Sequence, residues 1–285
     1  MPVLQKLETL TTIADLRAWS RAQRSRGRSV GLVPTMGALH AGHHSLMERA
    51  VAAGDSVIVS IFVNPTQFGP KEDFARYPRS FDADCELART AGVEAIFAPT
   101  VEEMYPTSAS TYVDVGTLGE QLDGLARPGH FRGVSTVVTK LLIAAEPEHA
   151  YFGQKDAAQV SVLRKLVRDM AFATELVVCP IVREADGLAL SSRNAYLSAA
   201  ERKQALVLSQ SVRRVENLYE RGERSARLLE SAALAVIASE PEIDVEYATV
   251  VDWATLLSID NAVPGTLFAV AARVGTTRLI DNTIL

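Results

Sequence analysis

Short apolar runs, separated by longer stretches of helical period, constrain this chain more than any other feature. Residues 30–33 (VGLV), 56–63 (SVIVSIFV), 95–98 (AIFA), 150–152 (AYF) and 176–178 (LVV) are apolar at consecutive positions rather than alternate ones. A strand with one wet face alternates, so a strand apolar on both sides must be covered on both faces. Five such runs with helical segments between them predict β-α-β units around a parallel sheet.

Helix signals fill the gaps. The segment from Asp156 sets Val160, Leu163, Val167 and Met170 on one face, with Asp156 as N-cap and Gln159 in the capping-box position. A helix beginning near Ser135 is expected to bury Val138, Leu141, Leu142 and Ala145, and another begins at Ser198, where Ser198 and Glu201 form a capping box. Past residue 183 the order changes to two helices, about 198–220 and 224–239, followed by strands at 245–251 and 267–272. Helices and then strands describe a small α+β domain. Pro180 and Asp186-Gly187 put the boundary between 178 and 190. The expected division is 1–183, a larger α/β domain, and 184–285, a smaller α+β domain.

Composition limits the function classes. With 48% hydrophobic and 22% charged residues, the 285-residue chain has material for a full core, unlike a disordered chain. Net charge is −5, and the basic residues are dispersed except at 21–28 (RAQRSRGR), which reads as a solvated helix end and turn. No nucleic-acid partner is expected. Cys85 and Cys179 stand far apart with no Cys or His at metal spacing, which fits reduced thiols and a cytoplasmic setting. Residues 1–6 carry no basic segment followed by an apolar one, and no run reaches the length of a membrane span.

Three loops carry chemistry. After the first strand run comes Pro34-Thr35-Met36-Gly37-Ala38-Leu39-His40-Ala41-Gly42-His43, leading into a helix. In an open α/β sheet a strand, a tight glycine-containing loop and a helix start are where phosphates settle on unpaired backbone N–H groups. His40 and His43, three apart, point to one side, and as imidazolium or as neutral N–H donors they suit charge developing on a polyphosphate. Capping histidines at a surface loop are the plainer reading; a metal site of His40, His43 and His44 lacks an evident fourth ligand. The second loop, Gly153-Gln154-Lys155-Asp156, again joins a strand to a helix. Its lysine can neutralise phosphate oxygens, and Asp156 can cap the helix, hold a ribose hydroxyl or lie near Mg²⁺. The third, residues 183–194 (READGLALSSRN), offers two hydroxyls and a guanidinium as a mobile phosphate clamp, although Ser-Ser-Arg-Asn is also an ordinary turn.

Taken together, VPTMGALHAGHHSLMERA, SIFVNPTQFG, YPR, FGQKDAAQ and SSRNAYL, in this order and at these intervals, resemble the pantothenate synthetases, and the tail GTTRLIDN is similar to that family's last strands. The resemblance implies a nucleotidyltransferase-type Rossmann fold with a smaller C-terminal domain, usually as a homodimer. It also implies ATP- and Mg²⁺-dependent joining of pantoate to β-alanine through a pantoyl adenylate. Carried over by residue, it makes Met36, Gly37, Ala38, Leu39, His40, Ala41, Gly42 and His43 the loop around ATP, with His43 the proton donor and His40 its partner on the phosphates. Gly153, Gln154, Lys155, Asp156, the backbone at Val182, Leu190, Ser191, Ser192 and Arg193 complete the nucleotide site. His40, His43, Lys155, Ser191, Ser192 and Arg193 are the groups implied in catalysis. Gln67, Gln159, Pro34, Met36 and Asn64 are implied for pantoate, with the Gln67 loop facing a different part of the cleft from the histidine loop. No protein ligand is assigned to Mg²⁺, carried mainly by the ATP phosphates.

Two positions depart from the family pattern: Leu190 stands where methionine is usual, and Gln154 where glutamate is frequent. Leucine preserves an apolar contact. Gln154 removes a charge, so a catalytic carboxylate there is not expected. Other readings are a nucleotidyltransferase that releases its adenylylated product, a fragment similar to a class I aminoacyl-tRNA synthetase, which the acidic balance disfavours, and a nucleotide-binding regulatory module without catalysis. Loss of His43, Lys155 or Arg193 would mark the last, and all three are present.

Overall fold

The consecutive apolar runs are strands of one sheet. The computed structural model describes residues 7–70, 72 and 74–285, so residues 1–6, read above for a leader, lie outside it. Within the first part of the chain the elements are β1 (Glu8–Leu10), α1 (Ile13–Ser25), β2 (Val30–Thr35), α2 (Ala41–Ala52), β3 (Ser56–Ile61), α3 (Phe81–Thr90) and β4 (Ala95–Phe97). Short α4 (Val101–Met104) and α5 (Asp123–Ala126) precede α6 (His130–Ala145), β5 (His149–Gly153), α7 (Ala157–Asp169) and β6 (Glu175–Cys179). The sheet order is β1-β4-β3-β2-β5-β6, with every pair parallel. Val30, Leu32, Val33, Val57, Ile58, Val59 and Ile96 are shut from solvent, as a sheet covered on both faces requires.

The second part comprises α8 (Ala199–Glu220), α9 (Ala226–Ile237), β7 (Asp244–Val251), β8 (Leu267–Val274) and β9 (Thr277–Ile284), the strands forming an antiparallel sheet β7-β8-β9. α8 begins as expected: the Ser198 hydroxyl accepts from the Glu201 N–H at 3.2 Å, and the Glu201 carboxylate accepts from the Ser198 N–H at 2.8 Å. The chain divides into two compact units, 1–153 with 162–179 and 154–161 with 180–285. The division therefore crosses α7, whereas the sequence reading drew a single boundary after residue 183.

The chain visits β3 and β4 on one side of β2 and β5 and β6 on the other, which makes the gap between β2 and β5 the switch point where ligands bind in such sheets. β2 pairs with β3 along its whole length, but with β5 only at Gly31↔His149 and Leu32↔Ala150, so the sheet parts toward its carboxyl edge. Pro34 explains part of this. The Ser56 and Phe62 N–H groups reach the carbonyls of Ser29 and Thr35, while the Glu148 N–H reaches that of Val30. Odd-numbered residues of β2 thus face β3 and even-numbered ones face β5. Pro34 lacks an N–H on the β5 side, and the ladder has no donor where the strands separate.

The opposite edge is closed by Asp55. Its fully buried carboxylate accepts from Ser29 Oγ at 2.6 Å, from Tyr151 Oη at 2.7 Å and lies 3.0 Å from His149 Nδ1, tying together the starts of β2, β3 and β5. Gly31 is required beneath it, because a Cβ there would lie 2.7 Å from Asp55 Oδ2. Burial, reinforced by the hydrogen bond to Asp55, pushes the Tyr151 hydroxyl well above the usual tyrosine range.

Several sequence expectations shift. α6 begins at His130, five residues before Ser135, although Val138, Leu141, Leu142 and Ala145 are buried as anticipated. Met170 lies beyond the end of α7 and is 54% exposed; the buried face is Val160, Val162, Leu163 and Leu166. The basic run is structural in part: Arg24 donates to the carbonyls of Ala145 and Glu146 at the end of α6, and Arg28 pairs with Glu94. Among the described residues no helix is long and apolar enough to cross a membrane.

Candidate active site

The loop between β2 and α2 is built around two left-handed residues, Gly37 (φ 83°) and Ala38 (φ 50°). Its amides are already engaged. The Gly37 N–H donates to Thr35 Oγ1 at 3.2 Å, and the Ala38 and Leu39 N–H groups donate to the two carboxylate oxygens of Asp84 at 3.0 and 2.8 Å. His40 is the N-cap of α2: its Nδ1 accepts from the Gly42 N–H at 3.1 Å, and the His40 N–H donates to His43 Nδ1 at 3.3 Å. The expectation of unpaired backbone N–H groups at Gly37, Ala38, Leu39, His40 and Gly42 is therefore not met, because side chains of Thr35, Asp84 and the two histidines take them.

This pairing sets the chemistry of the histidines. An imidazole nitrogen that accepts carries no proton, so both rings are neutral with the proton on Nε2. The rings lie side by side with centroids 4.1 Å apart. Of the two states the sequence left open, imidazolium or neutral donor, the capping geometry selects the neutral donor. His44 takes another direction, 3.3 Å from Glu48 one turn on. Among the described residues no group of three or more His, Cys, Asp or Glu side chains is arranged to hold a metal ion.

A second cluster adjoins this loop. Gln67 ends a 3-10 turn capped by Asn64, and both are nearly buried. Asn64 Nδ2 donates to Gln67 Oε1 at 3.0 Å and to the Gly133 carbonyl at 3.2 Å, while its Oδ1 accepts from Thr66 Oγ1 and Tyr105 Oη, each at 2.9 Å. The Nδ2 end of the Asn64 amide thus orients Gln67, while Thr66 and Tyr105 hold its Oδ1 end. Gln67 Nε2 donates to Met36 Sδ at 3.2 Å. The Gln67 and histidine loops therefore meet at Met36, the residue that the resemblance gives to both ATP and pantoate. Behind Gln67, its carbonyl accepts from His130 Nδ1 at 2.8 Å, and Arg127 donates to His130 Nε2 at 3.0 Å and to Glu72 at 2.9 Å. Because guanidinium only donates, His130 Nε2 must accept and the proton sits on Nδ1. Desolvation, with the nearby Arg127 charge, pushes His130 down to about 4. Gly133 is needed there, since a Cβ would lie 2.3 Å from the Thr66 carbonyl.

The second unit carries the remaining expected residues. Gln154, Lys155 and Asp156 form a 3-10 turn in which Lys155 Nζ lies 3.5 Å from Asp156 Oδ1. Asn282, 3% exposed on β9, donates to the carbonyls of Gln154 and Lys155 at 3.1 and 2.9 Å and accepts from Gln154 Nε2 at 3.2 Å. Gln154 thus turns toward the antiparallel sheet, and its departure from glutamate supplies the donor that Asn282 Oδ1 needs. Trp253 Nε1 donates to the Ala157 carbonyl at 3.0 Å, and Gln159 is half-buried on the same first turns of α7.

Residues 183–194 form a pinned loop. The Leu190 N–H bonds to the Val182 carbonyl at 3.0 Å, and Arg183 holds Asp281 with bonds of 2.6 and 2.9 Å. Glu184 accepts from Arg202 at 2.6 Å and from Asn194 at 2.9 Å. Ser191 caps the 3-10 turn Ser192–Tyr196 by accepting from the Arg193 N–H at 3.3 Å, so one of the two hydroxyls shapes the turn that carries the guanidinium. Asp84, Tyr105, Arg127, His130 and Asn282 escaped sequence reasoning. The one usable signal was the string at 127–133 (RPGHFRG), where Pro and two Gly surround a histidine at a helix start.

Comparison with known proteins places this arrangement in company. The family model for pantoate-beta-alanine ligase matches residues 8–284. The chain is 55% identical over 279 residues to the pantothenate synthetase of Koribacter versatilis, covering 98% of this chain and 96% of that protein. The crystal structure of pantothenate synthetase from Thermus thermophilus superposes with a TM-score of 0.91 at 44% identity, over 97% of this chain and 99% of that one. That of pantoate-beta-alanine ligase from Francisella tularensis, complexed with beta-gamma ATP and beta-alanine, gives 0.78 at 31%, over 98% of each chain.

Proposed function

This chain belongs to the pantoate-beta-alanine ligase family, and on that premise we propose that it condenses (R)-pantoate with β-alanine in two ATP-dependent stages. In the first, the pantoate carboxylate attacks the α-phosphorus of ATP, the α–β phosphoanhydride bond breaks and pyrophosphate leaves. In the second, the β-alanine amine attacks the acyl carbon of the adenylate, the acyl–phosphate bond breaks, AMP leaves and the amine gives up a proton. The observation that carries this reading is the pair of neutral imidazoles at the start of α2, beside the parting of β2 and β5.

Two Nε2–H donors on rings whose centroids lie 4.1 Å apart, each ring fixed by its own backbone, suit a group that gains negative charge as the reaction proceeds. His43 and His40 stabilise the departing pyrophosphate without a net charge change on the protein. Lys155 and Arg193 add point and forked positive charge to the same polyphosphate, and Mg²⁺ arrives as part of the nucleotide substrate. Gln67, its carbonyl and side-chain oxygen both held, presents its amide toward the acid without adding a charge that would repel it. Proximity of a bound amine to an activated carbonyl drives the second stage. The same family resemblance supports a cytoplasmic homodimer acting on small molecules, with no nucleic-acid or membrane partner.

Isotope exchange tests the order of events. With ATP, Mg²⁺ and pantoate but no β-alanine, the enzyme is expected to exchange labelled pyrophosphate into ATP, since the reverse reaction needs only the bound adenylate. A preparation that makes the amide yet shows no exchange would overturn the adenylate route.

A further inference from the structure

We infer that Asp84 is a positioning residue for nucleotide binding, holding the histidine loop in the shape that the proposed reaction requires; the inference rests on that reading of the loop. Asp84 stands in the first turn of α3, where acidic residues ordinarily serve the helix dipole or its own amides. Its carboxylate bonds outside the amides of α3. Oδ2 accepts from the Ala38 N–H at 3.0 Å, Oδ1 from the Leu39 N–H at 2.8 Å, and Ser80 Oγ donates to Oδ1 at 3.1 Å. The Ser80 hydroxyl, which by position would cap α3, makes no cap bond and orients the carboxylate. The side chain thus reaches a loop 45–46 residues away in sequence, and the residue is 2% exposed.

The loop needs such a partner. Ala38 adopts φ 50°, a region that L side chains rarely enter, directly after Gly37 at φ 83°. In this tight turn the successive N–H groups of Ala38 and Leu39 converge on one side, the kind of concavity that attracts anions. Asp84 fills this concavity, and Gly37 lets it come close: a Cβ there would lie 3.0 Å from Asp84 Oδ2. The amides that could have held a phosphate are thereby turned to the interior, and phosphate contact passes to the imidazoles that follow. His40 comes next in the chain, and its N-cap geometry depends on where Leu39 ends.

The test is Asp84→Asn in the full-length chain. Asparagine keeps the shape but sets an NH₂ against one of the two backbone donors, leaving it unsatisfied. ATP affinity by calorimetry is expected to weaken about tenfold or more, with KM for ATP rising in step and KM for pantoate within about twofold of the wild type. Adding Ala38→Gly to the variant should recover part of the ATP affinity, because glycine enters the left-handed region without a partner's help. A folded Asp84→Asn protein with unchanged ATP affinity overturns the inference, as does an equal loss for both substrates, which would mark a merely structural role. Should Asp84→Asn not fold, Ser80→Ala frees the same carboxylate to rotate; no selective weakening of ATP there is equally fatal. ATP binding is read directly, so an enzyme that binds ATP but lacks ligase activity in the wild type would refute the proposed function and leave the role of Asp84 standing.

Discussion

Each histidine of the pair does two jobs with its two nitrogens. Nδ1 caps the backbone and, in the proposed reaction, Nε2 carries the proton offered to substrate, so a replacement can separate the jobs. In His43→Asn the side-chain oxygen can take over as acceptor for the His40 N–H, while the outer donor disappears. Turnover is expected to fall roughly 10²–10³-fold, the usual cost of one preorganised donor, with a thermal midpoint close to the wild type; steady-state kinetics beside a melting curve checks both. Near-normal turnover would take His43 out of the mechanism. The candidate residues themselves were legible in the sequence because a strand exit, a glycine and two histidines at a helix start form a local pattern. What the pattern could not disclose was the state of those histidines. That depends on which nitrogen meets which amide, and on a carboxylate 45 residues away that removes the competing donors. Gln154 makes the same point in reverse: read alone it is a missing charge, and only beside Asn282 is it a donor facing an oxygen.

Among the elements, strands were easier to read than helix starts. A buried parallel strand announces itself by consecutive apolar residues, and every run named from the sequence falls on a strand. The start of α6 went unseen because Gly133 and the polar residues around it carry no helical period. Glycine is placed there by the Thr66 carbonyl it must pass, a contact 67 residues distant in sequence. His130, in the first turn of α6, makes that docking sensitive to acid. Its folded value of about 4 lies below an ordinary histidine's, so the neutral form is favoured in the folded state. The resulting stability is present above about pH 6.5 and is lost as pH falls through that value toward 4. The full effect is roughly 3 kcal/mol. Urea unfolding at pH 7.5, 5.5 and 4.5 should show the decline, and His130→Asn, whose amide can still donate to the Gln67 carbonyl, should flatten it. An unchanged slope in that variant would assign the acid sensitivity elsewhere.

At the scale of the whole molecule, the change from strand-helix alternation to helices followed by strands was enough to recognise a second unit. It could not reveal that residues 154–161 pack with that unit while their neighbours on both sides pack with the first. That assignment rests on Asn282 and Trp253, 127 and 96 residues downstream of their partners. Asn282→Ala should therefore act at a distance in sequence, leaving the Lys155 carbonyl without its buried donor. ATP affinity is expected to fall about tenfold while pantoate binding holds, measured by calorimetry; parallel losses would show that the turn needs no such anchor. The same separation sets a clock on biosynthesis. A ribosome adding about 5–20 residues per second makes Lys155 and then needs roughly 6–25 seconds more before Asn282 exists to receive the turn. Through that interval the nascent chain holds its histidines, Gln67 and its lysine without the strand that locks the last of these in place. A chain broken off between Lys155 and Asn282 thus carries its lysine turn without the side chain that anchors it.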